Sequence, residues 1–221
     1  MFSKFRTLCS ALVLAMICST SPAHAVTLPN PAFDVSLADA SAPPHAIVVA
    51  GGCFWGIQAV FQHVKGVKQA TSGYAGGAED TAHYETVGSG TTGHAESVQV
   101  IYDPAQITLG QILKIYFSVA HDPTELNRQG PDTGTQYRST VFYATPEQQK
   151  VADAYIKQLN EAHIFPSPIA TTLEPLTKFY PAEDYHQNYA KLHPYNPYIM
   201  INDAPKVTAL KKEFPEIYVE Q

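Results

Sequence analysis

His45-Ala46-Ile47-Val48-Val49-Ala50-Gly51-Gly52-Cys53-Phe54-Trp55-Gly56 joins a short, apolar, β-branched run to a glycine-rich turn that carries a thiol. The run up to Ala50 predicts a buried strand. Beyond the turn, Trp55, Ala59, Val60 and Val64 recur at helical spacing with Phe61 beside them, and Gly66 supplies a stop. Cys53 is therefore expected where a strand passes into a helix. Unpaired N–H groups and the positive end of the macrodipole there favour the thiolate, the nucleophilic form. Gly51, Gly52 and Gly56 leave room around it, whereas Phe54 and Trp55 are too bulky for a loop that merely turns. Two plainer readings compete. A buried cysteine is often an inert small hydrophobe. The glycines do not supply the G-x-G-x-x-G of a dinucleotide loop, and an aromatic pair directly after the thiol obstructs a pyrophosphate.

Downstream, residues 67–74 predict a second strand, with Gly73, Gly76 and Gly77 at its end; a long loop carrying His83 and Tyr84 then runs to Gly93. Residues 96–102 predict a third strand, with Glu96, Val98, Val100 and Tyr102 on one face and Ser97, Gln99 and Ile101 on the other. Thr108-Leu109-Gly110-Gln111 has the spacing of a capping box and opens a helix to residue 119, with Ile112, Ile115, Tyr116 and Val119 as its apolar stripe. His121-Asp122-Pro123 stops it, a polar loop runs to Tyr137, and residues 139–143 predict a fourth strand. The order β-α-β-β-α-β is the ferredoxin-like split unit, an α/β (α+β) two-layer sandwich. Thr145-Pro146-Glu147-Gln148 predicts a second capping box and a helix to residue 162, and residues 169–176 a further strand. From Phe179 the chain is rich in Tyr, Pro and Asn: a long irregular C-terminal segment with short helices near 183–191 and 207–214.

The N-terminus is an address. Lys4 and Arg6 precede an apolar stretch over residues 8–18 and the small-residue site Ala23-His24-Ala25, so residues 1–25 are expected to be a signal peptide cleaved after Ala25, and the product periplasmic or secreted. The apolar stretch is too short to span a bilayer as a mature helix. Residues 26–44, with Pro29, Pro31, Pro43 and Pro44, predict an extended arm, and 45–221 a single catalytic domain. Processing removes Cys9 and Cys18 and leaves Cys53 as the one thiol, which argues against a disulfide scaffold. It also takes two basic residues and no acidic ones, moving the formal charge from −6 to −8. That acidity argues against nucleic-acid partners and against stable membrane association.

Glu96 stands out as a carboxyl on the face shared with Val98 and Val100. If that face is the core side, desolvation keeps it protonated and able to donate; the plainer reading is a strand-end Glu reaching solvent. In the loop Arg128–Ser139, Asp132 and Tyr137 are best placed to face a pocket, against a plainer reading as turn cap and core-edge ring. The histidines are scattered and no HExxH or CxxC occurs, so no metal is expected. A Cys-His hydrolase using His186 and Asn188 stays open on pattern alone.

Gly52-Cys53-Phe54-Trp55, Thr71-Ser72-Gly73-Tyr74-Ala75-Gly76-Gly77, Thr92-Gly93-His94-Ala95-Glu96, His121-Asp122-Pro123-Thr124, Gln129-Gly130, Gly134-Thr135-Gln136-Tyr137-Arg138-Ser139 and Tyr185-His186-Gln187 together resemble the A-type peptide methionine sulfoxide reductases, in family order. The resemblance implies that Cys53 attacks the sulfoxide sulfur and ends as a sulfenic acid, and that Glu96 supplies the proton to the departing oxygen. It implies that Tyr84 and Tyr137 hold that oxygen with Asp132 in support, and that Phe54 and Trp55 wall the methyl group. It further implies the S epimer, free or in oxidised proteins, as substrate, and protein repair under oxidative stress as the role. Two departures matter. Gly88 stands where many relatives have a cysteine, and nothing after Cys53 is a resolving cysteine, which resembles a single-cysteine branch. With no internal disulfide possible, an external thiol is expected to recycle Cys53: a thioredoxin-like protein, glutaredoxin or glutathione. No bound cofactor is expected, and the protein is expected to be a monomer. A cysteine hydrolase or acyltransferase and a non-catalytic binder of metal or small molecules are the competing classes.

Overall fold

A computed structural model describes residues 27–221, so the expected signal peptide lies outside the described residues. In chain order the first half runs β1 (His45–Ala50), α1 (Phe54–Gln62), β2 (Val67–Ala75), α2 (Tyr84–Val87), β3 (Ala95–Tyr102) and α3 (Leu109–Ile115). Then come the short strands β4 (Arg128–Gln129) and β5 (Asp132–Thr133), β6 (Thr140–Tyr143), α4 (Pro146–Glu161), β7 (Thr172–Pro175), β8 (Phe179–Pro181), α5 (Tyr189–Leu192) and α6 (Ala204–Glu213). One six-stranded sheet has the order β7-β6-β1-β3-β2-β8; its central four strands, β6-β1-β3-β2, are antiparallel and form the expected split unit. β7 joins β6 in parallel at one edge.

The unbroken apolar run of β1 has its reason in two buried faces. Ile47 and Val49 enter the main core with Phe54, Ile57, Val60 and Phe61 of α1, while Val48 and Ala50 pack with Ala75, Ala95 and Phe142 on the opposite side. On β3, Glu96, Val98, Val100 and Tyr102 are buried and Gln99 and Ile101 half-buried, as the alternation predicts, but Ser97 of the second face, paired with both β1 and β2, is fully buried as well. Register then decides the site. Ala50, the last residue of β1, pairs with Ser97, so Glu96 lies one step past the end of β1, level with the turn that carries Cys53.

Three expectations are modified. The helix at Thr108 has its reciprocal capping box with Gln111, but after Ile115 it relaxes into a π turn over Tyr116–Ala120. At Thr145 only half of the box forms. Gln148 N–H donates to Thr145 Oγ1 (3.2 Å), but the Gln148 amide reaches Ala144 N–H and the Ala46 carbonyl instead, drawn towards β1. The irregular C-terminal segment supplies an edge strand, β8, paired with β2. The arm lies over α3 and α4: Leu28 is buried, Tyr155 O–H donates to the Pro29 carbonyl (2.8 Å), and Asp34 accepts from Gly110 N–H (2.8 Å) at the start of α3.

Candidate active site

Cys53 is the N-cap of α1 and uses no side-chain capping bond. The glycines before it are explained by what crowds them. Gly52 has φ +96°, and a Cβ there would lie 2.6 Å from the Gln129 side chain; a Cβ on Gly51 would lie 2.7 Å from the His121 ring. The first free N–H of the helix, that of Phe54, donates to Glu96 Oε2 at 3.1 Å.

Glu96 is 3 % exposed, and its carboxyl pKa is pushed up to about 8, by burial first and then by Asp132 and Asp203, against the opposing Phe54 N–H. Near neutral pH it is largely an acid with a proton to give. The expectation for Cys53 is corrected: its thiol is pushed well above the ordinary range, by burial first, then by Glu96 and Asp203. The Trp55 N–H and Lys206 pull the other way and lose. A helix terminus favours the thiolate only by the small energy of a partly exposed dipole, whereas desolvation acts on the whole charge.

The aromatic wall is dense. Phe54 is fully buried, its ring centroid 5.9 Å from Tyr74 and 5.1 Å from His186. Trp55 stacks on Tyr189 at 3.8 Å, meets Tyr198 edge-on at 6.0 Å, and donates its indole N–H to His186 Nδ1 at 3.2 Å. Tyr84 lies 4.2 Å from His186, at the start of a one-turn helix within the predicted loop. Its phenol is pushed up to about 12 by burial, Glu96 and Cys53; that of Tyr137 is raised by burial, Glu96 and Asp132. Both therefore stay O–H donors beside the thiol and the carboxyl. Asp132, on the short β4–β5 hairpin, accepts from Tyr198 O–H and has its own pKa raised by burial. All seven residues singled out in sequence thus adjoin one centre.

Reasoning from sequence missed Tyr198, Tyr189, Asp203 and Lys206, all from the Tyr/Pro/Asn-rich segment. The only local signal was Tyr185-His186-Gln187: Gln187 clamps Ser72 of β2 through both N–H (3.1 Å) and carbonyl (2.9 Å), fixing that segment over the site. The Cys-His-Asn alternative has no support in the geometry. His186 Nδ1 is taken by the Trp55 indole, and Asn188 Oδ1 accepts from Gln62 at 2.6 Å.

Comparison with known proteins bears on this centre. The family described as peptide methionine sulfoxide reductase matches residues 45–217. A peptide methionine sulfoxide reductase MsrA 2 of Mesorhizobium japonicum is 60% identical over 174 residues, 79% of this chain and 89% of that protein. One of Synechocystis sp. is 48% identical over 190 residues, 86% of this chain and 89% of its own. Among solved structures, reduced Mxr1 from Saccharomyces cerevisiae superposes with a TM-score of 0.62 at 34% identity, covering 71% of this chain and 89% of that one. Methionine sulfoxide reductase A of Corynebacterium diphtheriae gives 0.60 at 33% identity, covering 80% and 89%. Agreement of this depth, running through every strand that carries the centre, makes the chain a member of the peptide methionine sulfoxide reductase family, of the A type, and its activity the reduction of methionine sulfoxide.

Proposed function

We propose that Cys53 Sγ attacks the sulfur of a methionine-(S)-sulfoxide, free or in an exposed protein segment, while Glu96 protonates the sulfoxide oxygen. The S–O bond of the substrate breaks, the oxygen ends on Cys53 as a sulfenic acid, and methionine leaves as the thioether. The thiol proton of Cys53 passes back to Glu96, so the carboxyl finishes as it began. Tyr84 and Tyr137 donate to the oxygen as negative charge grows on it, and Asp132 with Tyr198 holds that side of the pocket. Phe54 and Trp55 form the dry wall for the methyl group. The observation that carries this reading is a carboxyl held at about 8, bonded to the N–H of the residue next to a buried thiol: acid and nucleophile share one water-poor space.

Because no cysteine follows Cys53, two equivalents of an external thiol complete the cycle: the first forms a mixed disulfide with Cys53 and releases the oxygen as water, and the second frees the Cys53 thiol and leaves as the oxidised, disulfide-bonded reductant. A thioredoxin-like protein, glutaredoxin or glutathione fits that need. The N-terminal pattern supports export after cleavage at Ala25, with a short arm ahead of the catalytic domain and action as a monomer on oxidised proteins of the periplasm or exterior. The deciding experiment incubates processed protein with methionine-(S)-sulfoxide and no reductant. About one methionine per chain and a trappable sulfenic acid at Cys53 are expected; turnover that survives alkylation of Cys53 would overturn the reading.

A further inference from the structure

We propose that Lys206 is the counter-charge that sets how readily the Cys53 sulfur ionises, and that Asp203 is the brake on it. This rests on Cys53 being the attacking group. Lys206 and Asp203 come from the start of α6 and are 7 % and 0 % exposed, with Nζ and Oδ1 3.2 Å apart. They press on the first turn of the helix that Cys53 caps. A Cβ on Gly56 would lie 2.1 Å from Asp203 Oδ1 and 2.7 Å from Lys206 Nζ, so only glycine lets the pair come this close.

A buried ion pair that served stability alone would satisfy both carboxylate oxygens, because each unmet one keeps its desolvation cost. Asp203 Oδ2 instead is buried with no hydrogen-bond partner among the described residues. The charge of Lys206 acts beyond its partner. It draws the pKa of Cys53 down, and likewise those of Asp132 and His121. The other groups around the sulfur oppose ionisation or stay neutral: Glu96 from β3, on which Asp132 of the β4–β5 hairpin bears in turn, Asp203 itself, and the phenols of Tyr84, Tyr137 and Tyr198. His121, packed behind Gly51, is held neutral with a pKa of about 3. Among the described residues, Lys206 is the cation whose charge bears on the thiol together with Asp203 and Asp132. Lys206 is a positioning residue for charge, not a group that touches substrate.

The test measures the rate of Cys53 alkylation by iodoacetamide across a pH series, by intact mass, on processed wild type, Lys206→Met, Lys206→Arg and Asp203→Asn. Lys206→Met should move the midpoint up by about one pH unit or more, slowing alkylation about tenfold near neutrality. Asp203→Asn should move it down by a similar amount, and Lys206→Arg should stay near wild type. A purely structural pair would lower the melting temperature of both variants without opposed shifts. An unmoved midpoint in Lys206→Met, or a common direction in both variants, overturns the proposal. Should Lys206→Met not fold, an unmoved midpoint in Asp203→Asn overturns it equally. Stoichiometric sulfoxide reduction by the wild type, measured beside these, separates failure of this inference from failure of the Cys53 mechanism.

Discussion

Two buried histidines flank the Cys53 turn, and their surroundings differ in one respect: how fully the polar atoms are paired. Under Gly51, His121 Nδ1–H donates to the Tyr116 carbonyl (3.1 Å) and Nε2 accepts from Ser139 O–H (2.7 Å). Ser139 also bonds Thr171 (2.7 Å), and Tyr116 O–H donates to the Ala50 carbonyl (2.5 Å). On the other side, His186 Nε2 and Asp203 Oδ2 are buried without partners among the described residues, Glu96 is held near 8, and the thiol is pushed up. Both clusters are buried, so unpaired atoms are costly in each. The paired one is scaffold, and the one left incomplete is where a substrate's own donors and acceptors have work to do.

The most severe way to break the incomplete side is Glu96→Gln. The shape is kept and the Phe54 N–H still has an acceptor, so the fold should survive while kcat/KM falls by about 10² to 10⁴. The sign of the pH effect follows from the carboxyl's pKa near 8: donation requires the protonated form, so wild-type activity should decline as pH rises through about 8. The variant, already slow, should lack that limb. Stability moves with the same group. A folded pKa raised from 4.5 to about 8 contributes stability that is full below 4.5 and is lost as pH rises through 8. Urea titrations should therefore show Glu96→Gln gaining on the wild type with rising pH, by up to roughly 5 kcal/mol. Wild-type rates in the variant would end the proton-donor role.

On the paired side, His121→Ala should cost about 3 kcal/mol of stability, since it opens a cavity beneath Gly51 and strips partners from Ser139 and the Tyr116 carbonyl. The pH profile of whatever remains folded should keep its limb near 8. A displaced limb would mean that the two clusters are one system. Gly56→Ala probes the border between them and the further pair. Its Cβ has no room beside Asp203 and Lys206, so a net loss of about 1 to 2 kcal/mol is expected despite the better helix propensity of alanine. Activity should fall with it, because the displaced pair is the one nearest the first turn.

What could be read from the chain was whatever has a local period or a local reason. The strand and turn before Cys53, the face of β3 that carries Glu96, and the capping box at Thr108 each announce themselves within a few residues. The thiolate expectation failed for a related reason: the helix terminus is local and was visible, while the burial that outweighs it is assembled from distant segments. Tyr198 finds Asp132 across 66 positions, and the N–H of Asn188 finds Gln58 across 130. No spacing rule reaches that far. The β4–β5 hairpin and β8 escaped because strands of two and three residues have too few alternations to show a period.

The finest test of the division is Tyr116→Phe, which removes one hydroxyl from the paired cluster and leaves the ring in place. The Ala50 carbonyl, at the last residue of β1, would lose the donor 2.5 Å away, and Ser139 would lose a neighbour at 3.0 Å. One unmet buried acceptor costs about 1 to 2 kcal/mol, so the denaturation midpoint should fall while kcat/KM stays within about twofold of wild type. The Tyr116 hydroxyl is bonded to Ala50 and Ser139, whereas Glu96 is held by the Phe54 N–H, so the hydroxyl feeds the scaffold rather than the thiol. If the missing hydroxyl instead cost as much activity as it cost stability, pairing would no longer distinguish the two sides of the turn, and the His121 cluster would have to be counted among the groups that tune Cys53.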